Sequence, residues 1–215
     1  FLSIKDHIEI WDTTGNMIDS WKVLNEKVVI TSIAVNDNSV FAADAGNKIV
    51  YHFNLKGDLV NKIGEKDSIN GIPGFIVPSP FFDLALGRDN ELWVANSGRH
   101  SFEAYTESGQ LISSWTRTSM QIDGFSGCCN PSHITILADG SFVTSEKGLV
   151  RVKIHNQIGD FVSLVATPEM FDEGTVGLDL VVDSNDRIYL LDPKRKQVRI
   201  FQKKYCLEAA ISKLN

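Results

Sequence analysis

One short phrase recurs along the chain at nearly constant spacing, and it limits the possible folds more than any other feature. A glycine, a polar residue and two apolar residues occur as Gly15-Asn-Met-Ile, Gly57-Asp-Leu-Val, Gly109-Gln-Leu-Ile and Gly159-Asp-Phe-Val, spaced by 42, 52 and 50 residues. Between them lies a second phrase, an alternating apolar run, a polar turn and another run. It reads SIAVNDNSVFAAD, DLALGRDNELWVAN, HITILADGSFVTSE and DLVVDSNDRIYLLD, beginning at Ser32, Asp83, His133 and Asp179. Each unit divides into four short segments with the period-two alternation of half-buried strands; in the second unit they are roughly Asp83 to Leu86, Leu92 to Asn96, Ser101 to Tyr105 and Leu111 to Trp115. Asp89-Asn90, Asp139-Gly140 and Asn185-Asp186 suit the reversals, because Gly, Asn and Asp tolerate left-handed backbone or bond their own turn. Only Tyr205 to Asn215 departs from the pattern and reads as a strand or a short helix. Four antiparallel strands every 46 to 52 residues make an all-β fold of β-propeller blades.

Four complete blades are expected at about 28–66, 80–117, 131–167 and 177–212. Residues 1–25 read as the last three strands of an earlier blade, FLSIK, HIEIW and MIDSW, whose inner strand is missing. The phrases Ile33-Ala-Val-Asn, Val40-Phe-Ala-Ala-Asp44, Ile49-Val-Tyr-His-Phe53 and Gly57-Asp-Leu-Val60 resemble NHL repeats, and the resemblance covers nearly all of residues 1–215 as one domain. The third unit departs from the family pattern, with Thr144-Ser-Glu-Lys147 at the usual Ala-Asp corner. The resemblance implies a six-bladed propeller of which this chain is a piece lacking N-terminal material; a five-bladed ring with its missing strand supplied from elsewhere is the alternative. GCCNP and TSEKG are similar to phrases in uncharacterised bacterial NHL-like proteins. That resemblance implies export to a periplasmic or extracellular location and supplies no activity.

Composition narrows the partners. The net charge is −6 and the basic residues are scattered, so no cationic stripe can follow a phosphate backbone, and nucleic acid is not an expected partner. The longest apolar run, Val28 to Val35, falls well short of the roughly 20 residues of a membrane-spanning helix. At 215 residues with 43% hydrophobic content, the chain buries a core without a metal or disulfide, so any cofactor would serve function. Cys128, Cys129 and Cys206 are too few for a disulfide framework, and adjacent cysteines seldom bridge because the ring is strained. There is no GxGxxG or Walker loop, HExxH helix, G-x-S-x-G elbow or EF-hand.

Function is expected on the face that carries the long inter-blade connections, about Glu65 to Phe82, Arg117 to Ser132 and Thr167 to Leu178. Ser32, Asp83, His133 and Asp179 occupy one repeat-equivalent position at the starts of the inner strands, so they should converge at the mouth of the central channel. Asp83, His133 and Asp179 suit a divalent cation. The same ring can instead hold a small polar ligand, or cap a wet entrance and bind only water. Peptidylglycine lyases of the NHL type place metal-binding histidines at comparable strand starts, and Ser132-His133-Ile134-Thr135-Ile136 is similar to one such segment. Only one of the four positions is His, so that activity is not carried over.

Cys128 and Cys129, on the same face, could ligate a soft metal, form a redox pair or pack as buried thiols. Asp44, Asn96, Glu146 and Asp192 form a wider ring of corners; Glu146-Lys147 breaks its pattern, either as a site or as a solvated pair. The four tryptophans, Trp11, Trp21, Trp93 and Trp115, read as inter-blade core. His7, His52, His100 and His155 read as surface or structural residues on outer strands. The apolar loop FIVPSPFF, Phe75 to Phe82, either packs over the disc or marks a partner surface. The favoured reading is a non-catalytic binding or scaffold propeller that takes a protein or small polar ligand at its channel mouth. The alternative is a metal-dependent lyase or lactonase-like hydrolase, with Asp83, His133 and Asp179 as metal ligands and Glu146 or a metal-bound water as base.

Overall fold

The computed structural model describes residues 1–22, 25–69 and 72–203. Cys206 and the ambiguous segment from Tyr205 to Asn215 lie outside them. Among the described residues, eighteen strands form five antiparallel sheets, the blades of an all-β propeller. Blade one holds β1 (Leu2–Ile4), β2 (His7–Trp11) and β3 (Met17–Lys22). Blade two holds β4 (Ile30–Val35), β5 (Ser39–Asp44), β6 (Ile49–Asn54) and β7 (Leu59–Ile63). Blade three is β8 (Leu84–Leu86), β9 (Leu92–Asn96), β10 (Ser101–Tyr105) and β11 (Leu111–Thr116). Blade four is β12 (His133–Ile136), β13 (Phe142–Glu146), β14 (Arg151–His155) and β15 (Phe161–Ala166); blade five is β16 (Leu180–Val182), β17 (Ile188–Asp192) and β18 (Gln197–Phe201).

This count corrects the sequence-based expectation. Among the described residues there are five blades, not six, and three rather than four of them have four strands. Six came from family habit, whereas blade number follows from how many sheets the chain supplies. The first blade does consist of the three expected strands, and its β1 takes a place beside the inner strand β4.

The recurrent glycine phrase has two physical causes. At each site the chain reverses between the third and fourth strand positions through a turn opened by Asp12, Asn54, Thr106 or Asn156. Those side chains accept backbone N–H bonds, as in Asp58 N to Asn54 Oδ1 at 3.0 Å and Asp160 N to Asn156 Oδ1 at 2.8 Å. The glycine closes the turn with φ of +86° to +87°, a conformation that costs other residues energy. Packing is the second cause: a Cβ on Gly57 would lie 2.7 Å from the Trp21 ring, and one on Gly159 would lie 2.4 Å from Trp115. The fourth-position strand of one blade thus seats an indole on the next blade's turn.

Trp21, Trp93 and Trp115 are buried between blades as expected, but Trp11 is 40% exposed. The corner residues Asp44, Asn96, Glu146 and Asp192 are all buried. Asp44 Oδ1 caps three backbone N–H groups, of Val29, Gly46 and Asn47, and Asn96 Oδ1 accepts from Ile76 N at 3.0 Å. In FIVPSPFF, Phe75, Val77 and Phe82 pack into the core with Ile63 and Leu92, leaving Ile76 exposed. That loop is chiefly a lid on the blade two to blade three core.

Candidate functional site at the channel mouth

The inner strands β4, β8, β12 and β16 line one axial cavity, with Ser32, Asp83 and Asp179 on its wall. Blade-to-blade struts set the geometry there. Ser32 Oγ accepts the Leu84 N–H of the next inner strand at 3.3 Å, and Asp83 Oδ2 accepts the equivalent Ile134 N–H at 2.9 Å. The series breaks at His133. Asp179 Oδ1 instead accepts the Leu180 N–H of its own strand at 2.8 Å, and both ring nitrogens of His133 lack a hydrogen-bond partner among the described residues. Thr31, at an irregularity in the β4 to β5 register, donates to Phe82 O at 2.6 Å.

His133 Nδ1 lies 3.5 Å from Asp83 Oδ2 and 3.6 Å from Asp179 Oδ1, close enough for strong electrostatic coupling but long for a hydrogen bond. Donor atoms of Asp83, His133 and Asp179 all lie within 4.8 Å of one another. One ion at about 2.0 to 2.6 Å from each donor spans such a distance. The donor set is two carboxylates and one imidazole, suited to magnesium, manganese or zinc rather than to a soft ion. Ser32, the fourth residue of the ring, uses its hydroxyl oxygen to hold the Leu84 N–H.

Burial opposes a charged imidazole at His133, but the Asp83 and Asp179 carboxylates outweigh it and raise its pKa above the ordinary 6.5. Asp179 titrates above the usual aspartate range, because the cavity withdraws it from bulk solvent and the Asp83 carboxylate repels its charge. Its side chain is 60% exposed and lines the cavity wall, so a solute in the mouth can reach it. Phe81 packs edge-on against His133 with ring centroids 5.5 Å apart, and Lys147 Nζ lies 4.9 Å from the Phe81 centroid.

Glu146 has a different environment. Its Oε1 accepts from Arg151 Nε at 2.7 Å and pairs with Lys153 Nζ at 2.8 Å, while its Oε2 accepts from the Arg151 guanidinium at 3.1 Å. Lys153 also donates to Gly124 O at 2.6 Å and stands 4.2 Å from the Phe125 ring centroid. This buried cluster, rather than a solvated Glu146–Lys147 pair, pins the Arg117 to Ser132 loop onto β14. Sequence reasoning missed Arg151 and Lys153. The available signal was basic residues at the β14 positions where β6 carries Ile49 and Tyr51.

Cys128 is exposed and Cys129 is buried, with sulfurs 3.1 Å apart. Both cysteines line a shallow depression that also includes Met120 and Lys147. His52 and His155 are buried structural residues, His52 bonding Ser39 Oγ at 2.8 Å and His155 lying near Gly159 O at 3.2 Å. His100 Nε2 bonds Gly127 O at 2.8 Å, and His7 sits between Asp6 and Glu9.

Comparison with solved structures supports the same architecture. Virginiamycin B lyase from Staphylococcus aureus superposes with a TM-score of 0.60 at 11% identity, over 94% of this chain and 64% of that one. A protein of unknown function from Bacteroides caccae gives 0.58 at 9% identity, over 91% and 68%. A glutaminyl cyclase from Myxococcus xanthus gives 0.57 at 8%, over 87% and 77%. The chain therefore spans less than two thirds of the length of the lyase. No family model and no curated protein sequence matches it. The class is that of the β-propellers. At these identities the likeness is one of fold, shared by enzymes and by a protein without an assigned role.

Proposed function

We propose that this chain is an NHL-type binding propeller whose channel mouth holds a divalent cation on Asp83, His133 and Asp179 and presents it to a small polar, anionic ligand. The supporting observation is that donors from the starts of three successive inner strands meet within 4.8 Å, with both His133 nitrogens left without a hydrogen-bond partner. The remaining coordination positions would face the cavity, where a carboxylate or phosphate of the ligand completes the shell. Repeat phrases such as Ile33-Ala-Val-Asn support the NHL assignment. The other residues of the expected site are engaged elsewhere: Ser32 holds the Leu84 N–H, Glu146 is paired with Arg151 and Lys153, and the two cysteines line a separate depression.

Calorimetric titration of the metal-stripped protein with manganese, magnesium and zinc tests the reading. One equivalent should bind, and Asp83→Asn and His133→Ala should each weaken binding at least tenfold. Asp83→Asn keeps an oxygen for the Ile134 N–H, so its loss of binding would not reflect a broken strut. Absence of binding at millimolar metal, or binding indifferent to both substitutions, refutes the proposal. A second reading, a metal-dependent lyase or lactonase-like hydrolase, draws on the same three donors, where a bound metal would supply Lewis-acid chemistry. Metal-dependent lactone opening or elimination that disappears in His133→Ala would select it.

A further inference from the structure

We propose that Cys128 and Cys129 form a reactive dithiol that a low-molecular-weight disulfide oxidises to a vicinal disulfide, making this loop a reversible modification site. The loop is held in place around the pair. Asn130 Nδ2 donates to Ser126 O at 2.8 Å and to Lys147 O at 2.9 Å, its Oδ1 accepts from Lys147 N at 2.8 Å, and His100 anchors Gly127 O. Within that frame the sulfurs approach to 3.1 Å. Tetrahedral zinc with Zn–S bonds of about 2.3 Å would need its sulfurs roughly 3.8 Å apart, so the pair is too close for that clamp. It is close enough to bond sulfur to sulfur after a small rotation.

The two thiols differ in exposure and in titration, the hydrogen bond and charge of Cys129 pushing the Cys128 thiol up. Cys128 is exposed and can meet an external disulfide, whereas Cys129 is buried and lines the same depression as Lys147. Burial opposes charge on Cys129, but the Cys128 thiol, the Ser79 hydroxyl and the Lys147 ammonium together favour its thiolate. Cys128 Sγ loses its proton to solvent as it attacks one sulfur of the external disulfide, forming a mixed disulfide and expelling one thiolate. Cys129 thiolate then attacks Cys128 Sγ and expels the second. The sum converts one dithiol and one disulfide into an intramolecular disulfide and two small thiols, with two electrons passing from protein to reagent. The strained ring gives an oxidising disulfide that mild thiols reopen.

The test treats the reduced full chain with oxidised glutathione, alkylates the remaining thiols and maps the peptides by mass spectrometry. The peptide containing both residues should lose two hydrogen masses, resist alkylation and recover with dithiothreitol. Cys129→Ser should stop at a glutathionyl adduct on Cys128. Lys147→Gln should slow closure roughly tenfold, as expected when a stabilising charge leaves a thiolate. A bond to Cys206, stable adducts on both cysteines of the native chain, no reaction, or a rate indifferent to Lys147→Gln overturns the proposal. None of these outcomes depends on a cation at the channel mouth.

Discussion

Replacing Glu146 with Gln should destabilise the fold far more than a corner substitution in a solvated loop. The Glu146 and Lys153 side chains are 1% and 0% exposed, and the single carboxylate also serves Arg151. Removing one partner of a buried pair costs about 3 to 5 kcal/mol, because the remaining charge is stranded away from water. Two features restrain the loss here. Lys153 keeps the Gly124 carbonyl and the Phe125 ring, and burial already lowers its pKa, so it can shed its proton. An expected cost of about 3 to 4 kcal/mol follows at neutral pH, equivalent to a fall of roughly 10 °C in Tm for a chain of this length.

The pH dependence has a defined sign. Where Lys153 titrates below its ordinary 10.5 in the fold, the unfolded chain binds more protons, so stability rises with pH through that window. The deficit of Glu146→Gln should therefore narrow as pH is raised toward about 10. Urea unfolding followed by tryptophan fluorescence measures it. Adding Lys153→Met to Glu146→Gln removes one stranded cation and should recover part of the loss. A single-variant cost under about 1 kcal/mol, or a double variant no more stable than the single, would refute the assignment of this cluster as a buried charge clamp.

Other outcomes follow from the same geometry. His155 titrates near 4 because burial and Lys153 oppose its charge, so its contribution is complete above about 6.5 and lost as pH falls toward 4. Unfolding free energies from urea titrations at pH 7 and 4.5 should differ by up to about 3 kcal/mol from this group, and His155→Gln should flatten the slope. Gly159→Ala should cost about 1 to 3 kcal/mol and alter Trp115 emission, whereas Gly15→Ala, at the same φ but with nothing within 4 Å, should lose only the backbone part. Cation binding at the channel mouth should weaken as pH falls through the raised pKa of His133, because protons and metal compete for the imidazole. Calorimetric titrations from pH 8 down to 6 check this.

The strand plan was legible in the sequence because turns and alternation are local properties. Gly57 and Asn54 announce a reversal, and Val40 to Asp44 announces a strand, without reference to anything distant. Blade number was not legible in the same way, since it depends on how many sheets surround the axis. The positions of Ser32, Asp83, His133 and Asp179 could be aligned by repeat, but the alignment could not separate a residue that bonds a backbone N–H from one that does not. Ser32 and Asp83 occupy the same repeat position and both brace the next strand, while His133 leaves its nitrogens unpaired. The partners of Glu146 were hidden because Arg151 and Lys153 are ordinarily surface residues. Only the packing of the Arg117 to Ser132 loop over β14 removes them from water.

The Asp83 carboxylate performs two tasks with one oxygen pair: it ties blade three to Ile134 of blade four, and it faces His133 and Asp179 across the mouth. An ion seated there would act as a keystone, joining the starts of three inner strands, β8, β12 and β16, at one point. Occupancy would then register as resistance of the ring to being pried open, measurable as slower unfolding even if no atom of the site moved.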